Sequence, residues 1–241
     1  MSAAAVWPPS LGTPIWAAVA FCPAPPLLLP AVEVRPDAAT TALRLACAAA
    51  VAEMLAARPE VVVVVADGAA PGERFGAGDV GDLRGFGVDV TIPFEGPVRP
   101  DGRRVPTAHA LGAWLLDQAG FAATRIGAGP GDLAQLARDL PAPLGVLAMG
   151  DGSARRSVKA PGYLDEAAAP FDAGVARALG TGDAAALAAL DPQEGTRQLA
   201  AGVPVWRAVG AAFAGRTVTG RLHHDAAPFG VGYLAATWLA A

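Results

Sequence analysis

The sequence predicts an α/β fold: a single domain with a mostly parallel central sheet flanked by helices. Three observations carry this expectation. Residues 61–65 are an uninterrupted valine run, as in a strand covered on both faces. The segments around it alternate between short apolar runs and stretches with helical spacing, the order of βαβ units. No linker or composition break divides the 241 residues, and 53% of them are hydrophobic, enough for one large core.

The elements follow in order. Residues 1–14 read as an irregular leader and 15–241 as the domain. An apolar run at 15–21 ends at Cys22-Pro23-Ala24-Pro25-Pro26, a buried strand stopped by a rigid loop. From 37 to 57, Leu43, Cys47, Val51, Met54 and Leu55 recur at helical spacing until Arg58-Pro59 breaks the pattern. The valine strand ends at Asp67-Gly68, and 68–87 reads as one long glycine-rich loop. A strand is expected at 88–92, then a helix at 107–119 with Thr107 as its cap. Strand, helix and strand follow at 122–126, 132–140 and 144–149. Alanine-rich helices are expected at 171–179, 184–190 and 204–213, and two strands, 217–223 and 231–238, close the chain.

Composition narrows the function. Eighteen basic and 22 acidic residues give a net charge of -4, so electrostatics favours neither nucleic acid nor an anionic membrane as partner. The uncharged first 32 residues are broken by prolines and lack a basic n-region, so a cytoplasmic location is expected. Cys22 and Cys47 are the only cysteines and neither sits in a CxxC, which points to neither a disulfide framework nor a cysteine zinc site.

Ligands of open parallel sheets bind beyond the carboxyl ends of the strands. That rule selects the loops after Phe21, Val65 and Met149, which should open on one edge. Asp67 and Asp151 then face one crevice as candidate acid/base or metal-holding carboxylates. Cys22, Ala24 and Ser153 lie in the same loops; burial of the thiol and a turn-stabilising role for the hydroxyl are the competing readings. Arg155, Arg156 and Lys159 gather three cations, including the only lysine, beside Asp151, and are expected to grip an anion from a solvated loop. The sequence Gly127-Ala128-Gly129-Pro130-Gly131-Asp132 reads as a plain turn, since an aspartate at the helix start repels phosphate.

Three segments resemble the class III extradiol ring-cleavage dioxygenases and the related Memo-like proteins. Residues 21–30, Phe-Cys-Pro-Ala-Pro-Pro-Leu-Leu-Leu-Pro, are similar to that family's strand-ending Pro-His-Pro-Pro segment. Gly150-Asp151-Gly152-Ser153-Ala154-Arg155-Arg156, with Ala160-Pro161-Gly162-Tyr163 and Pro170-Phe171-Asp172 behind it, is similar to the Gly-Asp-x-Ser-His block. Residues 227–233, Ala-Pro-Phe-Gly-Val-Gly-Tyr, look like the closing segment of an actinobacterial branch.

The resemblance implies an oxidoreductase frame whose non-haem Fe(II) is held by two histidines and a carboxylate. Here the first ligand histidine falls at Ala24, the second at Asp67 or Gly68, and the acid/base histidine at Ala154. The expectation is therefore loss of iron-dependent ring cleavage, no cofactor, and a residual crevice for a small anionic molecule or a protein partner, with homo-oligomerisation left open. The alternative is an active oxidoreductase or hydrolase with Fe(II) or another divalent metal, rebuilt from Asp67, Asp151, His223 and Asp225. On an extended strand His223 and Asp225 would share one face and His224 the other. His109, the remaining histidine, lies on the first half of a helix.

Overall fold

The computed structural model describes residues 16–33, 35, 37–140 and 142–241; the expected leader and the expected first strand residue, Ile15, lie outside them. Strand β1 (Trp16–Cys22) leads into the proline loop, where two short 3-10 turns, Pro26–Leu28 and Pro30–Val32, follow each other. Helix α1 (Ala38–Ala56) begins on Asp37, whose carboxylate accepts from the Thr40 backbone N–H. By length and composition α1 could cross a membrane, but it lies on the sheet with Leu43, Cys47, Val51 and Met54 buried, as a core helix does.

Strand β2 (Val61–Val65) is buried along its whole length. Each fully buried valine contributes about 1.5 kcal/mol or more through removal from water. The segment expected as one long loop instead contains β3 (Arg74–Phe75) and β4 (Val80–Asp82), and β4 pairs with β5 (Thr91–Pro93) in a separate two-stranded sheet. Two- and three-residue strands leave no periodic signal. Helix α2 (Thr107–Gln118) follows; Pro106 occupies its cap position without a side-chain hydrogen bond, so the expectation of Thr107 as cap is corrected.

Strand β6 (Thr124–Ala128), helix α3 (Leu133–Asp139) and β7 (Leu144–Met149) fall close to their expected places. Helices α4 (Ala168–Thr181), α5 (Ala184–Ala188), α6 (Pro192–Arg197) and α7 (Val203–Ala212) then lead to the hairpin β8 (Val218–Ala226) and β9 (Tyr233–Ala240).

The seven-stranded sheet has the order β3-β6-β2-β7-β1-β9-β8. Its four central strands β6, β2, β7 and β1 run parallel, and antiparallel pairings join β3, β9 and β8 at the margins. Helices α1 and α2 cover one face, while α3, α4, α5 and α7 cover the other, giving one mixed α/β domain with a core on each side of the sheet. Register fixes the functional edge. Cys22 pairs with Met149, and Val65 pairs with both Ala148 and Ala128, so the loops after β1, β2 and β7 leave from one level.

Candidate functional site

Those three loops meet in a cavity of about 210 Å³ lined by Ala24, Asp67, Gly68, Ala108, Met149, Gly150, Asp151 and Ala201. The floor is stitched by backbone. Gly150 donates its N–H to the Cys22 carbonyl at 3.0 Å, and Gly202 donates to the Asp151 carbonyl at 2.8 Å. A side chain at Gly150 would collide with the Gly202 backbone, so only glycine permits this approach.

Asp151 is the most perturbed carboxyl at the cavity. Its Oδ1 accepts the Ala24 N–H at 2.7 Å, but burial outweighs that bond and raises the carboxyl to about 6. Tyr233 lies beside it; burial, and then the negative field of Asp151, keep the phenol protonated well above the ordinary tyrosine range. Asp67 is exposed on the opposite wall, where its carboxylate accepts from the Gly68 N–H at 2.9 Å. Asp67 and Ala201 also border a groove of about 500 Å³ that continues between α6 and α7. The expected pair Asp67 and Asp151 thus shares one cavity with Ala24.

Other candidate residues are placed elsewhere. The Cys22 thiol is fully buried against Cys47, with its Sγ 4.0 Å from the Cys47 carbonyl oxygen; the neighbouring thiol and burial push it far up. Ser153 is also fully buried; its hydroxyl bonds the Gln198 side chain at 2.9 Å and accepts from the Arg155 N–H at 3.1 Å. Neither side chain lines the cavity.

The cationic loop differs most from its expected form. Arg156 is not a solvated charge: it donates to Asp172 at 2.7 Å, and that carboxylate is fully buried and also accepts the Ser153 N–H at 2.8 Å. Gly152 and Gly232 form the walls around Asp172, where a Cβ at Gly232 would stand 2.1 Å from its Oδ2. Arg155 is partly buried over Gly162, while Lys159 is exposed; none of the three cations borders the cavity or the groove.

The histidines do not converge on the aspartates. A register shift between Leu222 and His224 puts a bulge at His223. His223 therefore turns to the α1 face, 2.8 Å from the Thr237 hydroxyl and 3.1 Å from Glu53. His224 pairs across from Ala235 on that same face, whereas Asp225 pairs with Leu234 on the other, where its charge reaches Asp172. The expectation that His223 and Asp225 share a face is corrected by this bulge, and the four residues of the rebuilt metal set are not brought together. His109 is fully buried, edge-on to Phe75, with Nε2 3.0 Å from the Ala128 carbonyl. A carbonyl can only accept, so Nε2 carries the proton; burial lowers the imidazole below its usual range and leaves Nδ1 without a partner.

The iron centre that the resemblance implies can be tested against this donor set. Methyl groups at Ala24 and Ala154 offer no lone pair, and one oxygen of Asp151 is occupied by the Ala24 N–H. Two imidazoles and a carboxylate are not available there, so the residues present do not fit the group.

Residues of the α6–α7 region that border the groove, Leu199 and Arg207 among them, were missed at the sequence level. Signals existed: Asp191-Pro192-Gln193-Glu194 carries a cap, a proline at the first helical position and a first-turn glutamate, and Arg207 is the only charge between Arg197 and Arg216. Compared with known protein families and with curated proteins, the chain matches none.

Proposed function

We propose that this is a cytoplasmic α/β domain built on the frame of the class III extradiol dioxygenases, which has lost iron-dependent ring cleavage and uses the crevice at the strand ends to bind a small anionic molecule. The observation that supports this reading is the shared cavity of Ala24, Asp67 and Asp151. It lies where the resemblance puts a metal site, yet one wall is a methyl group and the carboxyl opposite is tied to backbone. What remains is a shaped opening continuous with a larger groove, of the size that small-molecule sites occupy. Asp151 adds a proton that is held to about pH 6. Above that pH its charge opposes an anion in the cavity, and below it the opposition disappears, so anions are expected to bind more tightly as pH falls through this range.

The test has two arms. Elemental analysis after purification with added Fe(II), together with O2 uptake on catechol and protocatechuate, is expected to give neither stoichiometric iron nor turnover. Thermal-shift screening of small carboxylates, followed by amide NMR mapping, is expected to move signals of Ala24, Gly68 and Ala201. One equivalent of iron with catechol-dependent O2 uptake, or carboxylates that shift no crevice amide, would refute the reading.

A further inference from the structure

The groove beyond the cavity has a composition that the strand-end carboxylates do not share. Its walls are Pro192, Leu199, Ala200, Val203 and Pro204, with charges only from Asp67 at the inner end and from Arg207 on α7. Arginines of this chain are mostly committed to carboxylates: Arg74 to Asp132, Arg103 to Asp79, Arg156 to Asp172. Arg207 has no acidic partner among the described residues; its Nη1 donates to the Leu190 carbonyl, which leaves the rest of its planar fork without a carboxylate.

Leu199 gives a second, independent observation. Helix α6 ends with the Leu199 N–H bonded back to the Thr196 carbonyl and the Ala200 N–H to the Gly195 carbonyl, a Schellman ending whose left-handed position normally holds glycine. Leucine occupies it at φ 52°, and its side chain stands 48% exposed on the groove wall. A branched apolar residue in a strained backbone position, left in contact with water, gains nothing for the fold that glycine would not provide.

We propose that the groove between α6 and α7 binds a small monocarboxylate with an apolar body, its carboxylate on Arg207 and its body along Leu199, Val203 and Pro204. This rests on the crevice being a small-anion site, and it names the ligand class and the cation that reads it. Charge sets the orientation. A carboxylate is attracted by the Arg207 fork and repelled by Asp67, whereas an ammonium group would choose the Asp67 end.

Three probes with one body separate these outcomes: octanoate, octanol and octylamine, titrated calorimetrically at pH 7.5. Octanoate is expected to bind about tenfold tighter than octanol, the least that a charge-assisted pair should contribute. Arg207→Gln should bring octanoate down to the level of octanol, while Arg207→Lys retains part of the preference. Leu199→Gly should weaken octanoate and octanol alike without lowering Tm, which keeps the test decisive even if Arg207→Gln fails to fold. Octylamine as the tightest ligand, an unchanged octanoate preference in Arg207→Gln, or unchanged affinities in Leu199→Gly would overturn the proposal. Binding that moves the crevice amides without any head-group preference refutes this inference alone. Failure of all three probes and of the wider carboxylate screen to move those amides removes the underlying reading as well.

Discussion

Replacing Asp151 by asparagine isolates the cost of burying this carboxyl. The amide oxygen can still accept the Ala24 N–H, which lies 2.7 Å from the native carboxylate, so the loop retains its tie to β1. What disappears is the charge. The carboxyl rises from 3.8 to about 6 on folding, which at about 1.4 kcal/mol per unit amounts to about 3 kcal/mol of native-state destabilisation once the group is ionised. Partial contact with cavity water reduces this to about 2 kcal/mol. The sign follows from linkage: a raised carboxyl binds its proton more tightly in the folded state, so the penalty is absent below 3.8, grows as pH rises through the window to 6, and is complete above it. Asp151→Asn is therefore expected to be about 2 kcal/mol more stable than wild type at pH 7 and equal to it near pH 3.5. Burial also raises Asp172 and Glu95, but both are common to the two proteins and cancel in the difference. Urea denaturation at half-unit steps from pH 3.5 to 7.5 measures it. A difference that is flat with pH, or a variant less stable at pH 7, would show that the carboxylate is stabilised where it sits and that the burial argument is wrong.

Two further outcomes are expected. Arg156→Ala should cost about 3 kcal/mol or more in urea unfolding, because it strands the buried Asp172 carboxylate, whereas Arg155→Ala, with a side chain that bonds no acid among the described residues, should cost about 1 kcal/mol or less; equal losses would contradict the assignment. Neither Cys22 nor Cys47 should react with Ellman's reagent in the native protein, and both should react in denaturant; rapid native modification of either would contradict their burial.

Much of the framework was legible from side-chain pattern. The valines of β2, the helical spacing from Leu43 to Met54 and the apolar run of β7 each state a burial requirement that local geometry can satisfy in one way. The strand-end rule then selected Asp67 and Asp151, and parallel register made them neighbours. Less was legible where short elements replace periodicity: Arg74–Phe75 and Val80–Asp82 are too brief to repeat, and α6 is polar with a glycine inside it. The bulge at His223 was beyond reach, since one extra residue reverses the faces of all that follow and leaves no mark in composition.

The sequence by itself determined which segments must be buried and where the chain must turn, because hydrophobic spacing, prolines and glycines act within a few residues of themselves. It also determined that alanines stand at two positions where the resemblance expects imidazoles. Only the tertiary structure decided what each charge is for. Arg156 and Lys159 look alike in sequence, yet one is paired with a carboxylate sixteen residues away and inside the protein, and the other is exposed. Arg207, unremarked in an apolar helix, borders the groove because α6 and α7 fold against each other. A charge acquires its role from its partner and from the water it loses, and both are set by chain segments that are distant until the sheet brings them together.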